Sequence, residues 1–358
     1  MNKLPNSIEI DNVLIGKNNP CYIIAEIGIN HNGKLDLAKQ LIDVAVSAEA
    51  NAVKFQKRSL NQLYKNDLLN DPNLESQGFE ILIGVLKEVE FSEDEYQQII
   101  EYCKEKNITF LCTPWDTDSV DFLEKFNVPA YKIASADITN FPLLKYVCSK
   151  NKPMIISSGM SEMNEIEKTV EFLKNQQANF ILLHCNSTYP SPIDLLNLEL
   201  IPVLSEKFQV PIGYSGHESD IIPTLTASNL GAVVVERHIT LDRTMEGIDQ
   251  SASLEPEEFS TLVKYIRDSE KAKGKPIKRM TRGEVLQREV LGKSLVCKTD
   301  IQKNEEFSEK NIDVKGPARG LSPQYYYEIL GKKSKRQIKK GDYIQTDDLW
   351  FLEWKLEN

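Results

Sequence analysis

No stretch of this chain approaches the run of about 18 uncharged apolar residues that a membrane-spanning helix needs. The opening MNKLPNSIEIDNVLIG carries one early lysine with no apolar segment behind it, so a secretory leader is not expected and a cytoplasmic setting is. Cysteine pairs are missing as well: the six cysteines, at 21, 103, 112, 148, 185 and 297, show no CxxC spacing, which leaves reduced and mostly buried thiols as the expectation. An excess of basic charge is absent. The 43 Lys and Arg against 53 Asp and Glu leave a net charge of -10, opposite to what neutralising nucleic-acid phosphates requires. The dinucleotide fingerprint GxGxxG does not occur. What remains is ordinary globular composition, 41% hydrophobic over 358 residues, enough for more than one domain.

Short β-branched runs alternate with amphipathic segments through most of the sequence, as in successive βα units around a parallel sheet. Eight runs read as strands: 22 to 28, 52 to 56, 108 to 112, 130 to 134, 153 to 157, 180 to 185, 210 to 214 and 232 to 236. Between them, Met163, Ile166, Val170 and Leu173 recur at helical spacing, and 35 to 48 behaves likewise. Eight repeats in series predict an α/β TIM (β/α)8 barrel over residues 1–275 rather than a doubly wound sheet. The long connection 57 to 93 is expected to cover the pocket mouth. KAKGKPIKRMTRGE, rich in Lys, Arg, Gly and Pro, predicts an exposed linker at 276–290. The short alternating runs beyond it predict a small, mostly β domain over 291–358.

Barrel enzymes carry their chemistry at the C-terminal ends of the strands. There the sequence places Glu26 and Asn30, Lys54 and Gln56, Thr113, Lys132 and Ser135, His184 and Asn186, Ser215 and His217, and Glu236 and His238. A lysine on a barrel strand costs several kcal/mol to bury unpaired. Lys54 and Lys132 together point to a bound phosphate or carboxylate, unless each pairs with a nearby Glu such as Glu26. SSGMSE adds hydroxyls and amides where the fifth strand meets a helix, a possible anion seat, although Ser161 also suits a plain N-cap. Of only four histidines, His217 and His238 end neighbouring strands beside Glu236, a pattern suited to a catalytic divalent cation with open coordination positions. His31 and His184 are as readily explained by a bond to the backbone.

These residues lie in segments that together resemble the sialic acid synthases and their legionaminic and pseudaminic acid relatives. The segments are IAEIGINHNG (24 to 33), VKFQ (53 to 56), TPWD (113 to 116), KIASADITNFPLL (132 to 144), SSGM (157 to 160), GYSGH (213 to 217), ERHITLDRTMEG and SASLEP (236 to 256). The resemblance implies that the C-terminal region is an antifreeze-like (SAF) domain, here KSLVCKTDIQKNEEFSEKNI and GLSPQYYYEILGK. It implies condensation of phosphoenolpyruvate with an N-acylated mannosamine-type sugar, with release of phosphate. Lys54, Thr113, Lys132, Ser135, Ser158, Gly159 and Ser215 would then hold phosphoenolpyruvate. His217 and His238 would hold Mn2+, or alternatively Mg2+ or Co2+. Glu26 would handle protons of the attacking water, with Glu236 counted among the catalytic groups. Gln56, Asp137, Tyr189 and Asp249 would contact the sugar, and Asn186 and Ser187 complete the substrate contacts. The resemblance further implies a domain-swapped homodimer.

Three departures from the family pattern bear on the sugar and the metal. Asp137 stands where a longer Glu is usual, Gly216 where an Asp precedes the metal-binding His, and Gly316 where a sugar-binding Arg is usual, with Arg319 as its possible substitute. Asp137 and Gly316 favour a 2,4-diacetamido-2,4,6-trideoxymannose acceptor, giving legionaminic acid, over N-acetylmannosamine giving N-acetylneuraminate, and Gly216 bears on the metal. The alternatives are a synthase acting on a phosphorylated sugar, of the sialic acid 9-phosphate, octulosonate or heptulosonate phosphate type, or a noncatalytic sugar- or ice-binding protein.

Overall fold

The computed structural model describes residues 7–70 and 79–349. The chain divides into two compact units, Met1–Gly274 and Lys275–Asn358. In the first, β1 (Ser7–Ile10) and β2 (Val13–Gly16) form an antiparallel hairpin. Eight parallel strands then close a barrel: β3 (Tyr22–Gly28), β4 (Ala52–Lys57), β5 (Thr109–Pro114), β6 (Tyr131–Ile133), β7 (Met154–Ser157), β8 (Phe180–Cys185), β9 (Ile212–Gly216) and β10 (Val234–His238), which pairs back onto β3. These are the eight runs read from the sequence, with boundaries moved by no more than two residues. The hairpin was not foreseen; its four-residue strands are too short for alternation to show.

Between strands, helices turn an apolar face to the barrel wall. Ile166, Val170 and Leu173 of the helix Met163–Asn175 are buried in a shell with Ala38, Leu41, Ile42 and Ala45 of Leu35–Ser47. The lumen has its own apolar layer, in which Ile24, Ala52, Leu111, Ala130, Ile155, Ile181, Leu183 and Val234 pack with Ile8, Ile10 and Ile15 of the hairpin. Because side chains alternate along a strand, the next inward position towards the C-terminal end is two residues on. That rule selects the functional residues described below.

The connection 57–93 forms the helices Leu60–Leu63, Asn66–Asn70 and Phe79–Val89. Residues 71–78 of this expected mouth cover lie outside the described residues, and none of its described residues lines the pocket. The expected linker is corrected in part. Its latter half is a helix, Arg282–Leu291, started by a capping box in which Thr281 and Glu284 exchange side-chain and backbone bonds. The density of Lys, Arg and Gly masked that signal, and the helix has no buried residue. In the second unit β11 (Ser294–Cys297) pairs with β12 (Ile312–Lys315), and isolated bridges such as Ile301 to Ile338 continue the pattern. Leu295, Ile301, Phe307, Ile312, Ile329, Ile338 and Ile344 form its core. No helix among the described residues is long and apolar enough to cross a membrane.

Candidate active site

At the C-terminal ends of the strands the lumen opens into a pocket of about 230 Å³. Inward positions that are apolar one step lower are here polar: Ile24 gives way to Glu26, Ala52 to Lys54 and Gln56, Leu111 to Thr113, Ala130 to Lys132, and Val234 to Glu236 and His238.

Four buried charges lie together in the pocket. Lys54 Nζ lies 2.8 Å from Glu26 Oε2 and 3.7 Å from Glu236 Oε1, and Lys132 Nζ lies 3.5 Å from Glu236 Oε1. Lys54 also donates to Thr113 Oγ1 at 3.0 Å and Lys132 to Ser157 Oγ at 2.7 Å. The lysines therefore have protein counter-ions, and their burial alone does not demand a ligand. The carboxylates divide in character. Burial, reinforced by Glu236, raises the Glu26 pKa despite Lys54. For Glu236 burial pulls upward, but Lys132 and Lys54 outweigh it and hold the group ionised. Burial likewise depresses Lys132, whereas for Lys54 it is overcome by Glu236 and Glu26, which raise the pKa. Two carboxyls with opposed proton affinities at one site are the arrangement that acid–base chemistry uses. Gln56 Nε2 donates to Glu26 Oε1 at 2.8 Å, and Arg58 Nη2 donates to Gln56 Oε1 while its guanidinium lies 4.7 Å above the Trp115 ring.

At the ends of β9 and β10 the His217 and His238 rings stand 5.4 Å apart, with Tyr189 beside both. His217 Nδ1 donates to the Asn186 carbonyl at 2.7 Å, and its Nε2 lies 2.8 Å from Tyr189 OH. His238 Nδ1 is buried without a hydrogen-bond partner, 3.6 Å from Asp249 Oδ2. Burial and the charge of His217 push His238 well below the usual histidine range, so its imidazole is neutral. Among the described residues no group of three or more His, Cys, Asp or Glu is arranged around a metal. The donor chemistry nonetheless fits a divalent cation: two pocket-facing imidazoles, one fixed by a carbonyl and one with an unpartnered buried nitrogen.

Of the residues expected from the sequence, Glu26, Lys54, Gln56, Thr113, Lys132, Ser135, Ser187, Tyr189, Ser215, His217, Glu236 and His238 line this pocket. Ser215 Oγ lies 3.4 Å from Glu236 Oε1. Asp137, Ser158, Gly159, Asn186 and Asp249 are not among its lining residues. Ser158 turns its hydroxyl to the Leu183 carbonyl at 2.9 Å. Gly159 donates its N–H to Ser135 Oγ, and a Cβ there would stand 2.1 Å from Ser187 Oγ, so a larger residue would displace that hydroxyl. Asp137 accepts from Asn140, while Asn186 acts through its carbonyl on His217. Arg319, in the second unit, is exposed, and its backbone N–H donates to Ser294 Oγ. The helix after SSGMSE, Met163–Asn175, is capped by Glu162 with Glu165 and not by Ser161.

Among the pocket residues that escaped the sequence reading are Trp115, Ser157, Met160 and Cys185. Alternation flags three of them, since 115 follows 113, 157 follows Ile155, and 185 follows Leu183, whereas His184 faces outward and bonds the Leu196 carbonyl at 2.7 Å. His31 is likewise structural. It stacks on Phe91 at 4.2 Å, and burial lowers its pKa to about 3. All six cysteines are free thiols.

The comparisons with known proteins agree with this geometry. Residues 41–278 match the NeuB family and residues 292–349 the SAF domain. The chain is 40% identical over 333 residues to N,N'-diacetyllegionaminic acid synthase of Campylobacter jejuni, covering 90% of this chain and 98% of that one. It is 39% identical to N-acetylneuraminate-9-phosphate synthase of Homo sapiens, covering 93% and 94%. It resembles the crystal structure of N-acetylneuraminic acid (sialic acid) synthetase from Leptospira borgpetersenii with a TM-score of 0.71 and 36% identity, over 80% of this chain and 96% of that one. By this match along nearly its whole length, the chain belongs to the NeuB family of sialic and related nonulosonic acid synthases.

Proposed function

We propose that the protein condenses phosphoenolpyruvate with an N-acylated amino-sugar aldehyde, most favourably 2,4-diacetamido-2,4,6-trideoxymannose, releasing phosphate and forming a legionaminic-type nine-carbon α-keto acid. The observation that carries this reading is the lysine pair with two carboxylates of opposed proton affinity at the end of a barrel lumen.

Lys54 and Lys132 would face the phosphate and carboxylate of phosphoenolpyruvate, with Thr113, Ser135, Ser187 and Ser215 supplying shorter polar contacts. Their fixed charges oppose the negative charge that collects as phosphate departs. The methylene carbon of phosphoenolpyruvate forms a bond to the aldehyde carbon, water adds at the neighbouring carbon, and the C–O bond to phosphate breaks. Glu26, oriented by Gln56, would take the proton of that water. His217 and His238 would hold the divalent cation, Mn2+ ahead of Mg2+ or Co2+, which when bound polarises the aldehyde oxygen. Asp249 and Asn186 would keep the two imidazoles in the required orientation. A homodimer belongs to the same reading, and sedimentation of the purified chain tests it.

The preference among sugars rests on reach. Asp137 is one methylene shorter than the usual Glu, and Gly316 carries no guanidinium. Both changes suit an acceptor with a second acetamido group and a methyl in place of a hydroxyl. Phosphate release is measured with phosphoenolpyruvate and, in turn, the diacetamido sugar, N-acetylmannosamine and its 6-phosphate. Release with the first is expected to be fastest. Greater release with the 6-phosphate would move the reading to a 9-phosphate product, and release with none would reject the reaction.

A further inference from the structure

His217 and His238 face the lumen, so their chain neighbours Glu218 and Arg237 face outward. These two meet behind the site. Arg237 Nη1 lies 2.9 Å from Glu218 Oε1, with side chains 1% and 0% exposed. The same nitrogen donates to the Asp220 carbonyl and to Thr224 Oγ1, each at 2.9 Å, and Nη2 donates to the Glu218 carbonyl. The carboxylate accepts from Tyr214 OH at 2.8 Å and Thr224 Oγ1 at 2.7 Å, while Arg237 Nε is buried without a hydrogen-bond partner. Neither residue lines the pocket.

The position of this pair in the sheet gives it a use. The β9–β10 ladder ends where Arg237 pairs with Gly216, so His217 stands one residue beyond the last regular strand bond. Gly216 makes room for the pair: a Cβ there would stand 2.6 Å from Glu218 Oε2 and 2.7 Å from Tyr214 Cε1. A buried ion pair is seldom more stabilising than apolar residues of the same volume, so net stability alone does not account for one at this place. The Arg237 guanidinium replaces the missing ladder bonds by holding both the backbone and the side chain of the residue after His217.

We infer that the Arg237–Glu218 pair is a strut that fixes the spacing and aim of the His217 and His238 imidazoles, which makes both members positioning residues. This inference rests on the reading that those histidines hold the cation, and it assigns Gly216 a task where a carboxylate beside His217 is usual. Outer partners of metal ligands change affinity by about 10- to 100-fold when lost.

The test uses the full chain labelled with 15N-histidine, in which only four imidazoles have to be resolved, together with Mn2+ affinity read by electron paramagnetic resonance. Arg237→Met is expected to weaken Mn2+ binding about 10- to 100-fold and to shift the ring signals of His217 and His238. The His31 signal should stay in place, and Arg237→Lys should restore part of the affinity. If Arg237→Met does not fold, the double variant Arg237→Met, Glu218→Gln, which leaves no buried lone charge, carries the same expectations. A folded variant with unchanged Mn2+ affinity and unchanged His217 and His238 signals overturns the strut. Ring shifts in the variant of a protein whose wild type binds no Mn2+ would support the strut and reject the metal reading.

Discussion

The two halves of the barrel lumen are built from the same eight strands and differ in almost every other respect. In the half towards the hairpin, Ile24, Leu111, Ile155, Ile181 and Val234 close on Ile8, Ile10 and Ile15 with no charged group among them. Two residues further along the same strands stand Glu26, Thr113, Ser157 and Glu236. One half gains stability by removing apolar surface from water, and the other spends part of it by burying four ionisable groups. The contrast shows that the fold does not need the mouth and that the mouth needs a rigid floor to keep its charges apart. If so, substitutions in the two halves should separate stability from chemistry.

The largest effect is expected at the mouth. Glu26→Gln keeps the shape and the contact with Gln56 but removes the base, and should lower kcat by about 10²- to 10⁴-fold with little change in thermal stability. Normal turnover by this variant would take Glu26 out of the proton path. Because burial raises the Glu26 pKa, the group is protonated and inactive at pH values where an ordinary Glu, at about 4.3, is already ionised. The acid limb of the wild-type pH–rate profile should accordingly lie above the usual carboxylate range, with activity falling as pH drops through it. A limb at the ordinary Glu value would contradict the assignment.

At the floor the expected pattern reverses. Ile181→Ala opens a cavity among fully buried side chains and should cost about 2–5 kcal/mol in urea unfolding while leaving kcat and KM near wild type. A variant that keeps its stability but loses activity would break the division of the lumen. The smallest effect concerns the sugar. The ratio of kcat/KM for the diacetamido sugar over N-acetylmannosamine is expected to exceed one by a modest factor, because a missing reach of one methylene is worth only about 1–3 kcal/mol. Restoring it with Asp137→Glu should move the ratio towards N-acetylmannosamine, and an unmoved ratio would remove Asp137 from selectivity.

This division also explains what could be read from the sequence. The eight strands were legible because each is a dense β-branched run bounded by helical periodicity, and Glu26, Lys54, Lys132, His217 and His238 were legible because charges and imidazoles are conspicuous on such runs. Trp115, Ser157 and Cys185 were not, since each is an ordinary residue whose meaning comes only from its inward parity. His184 shows the opposite case, a conspicuous residue whose parity turns it away from the pocket. The Arg237–Glu218 pair was hidden for another reason: two charges 19 positions apart carry no local signal, and only the pairing of β9 with β10 brings them together. The helix Arg282–Leu291 was missed because its capping box sits inside a segment whose Lys, Arg, Gly and Pro content dominates the composition.

The central claim is that the charged half of the lumen binds an anionic substrate and the apolar half only supports it. Calorimetric titration of phosphoenolpyruvate into wild type, Lys54→Met and Ile181→Ala tests that claim most directly. Loss of the charge-assisted bonds from Lys54, worth about 1.5–3 kcal/mol, should raise Kd at least about tenfold, while Ile181→Ala should bind as wild type does. An unchanged Kd in Lys54→Met, or an equal loss in both variants, would contradict it.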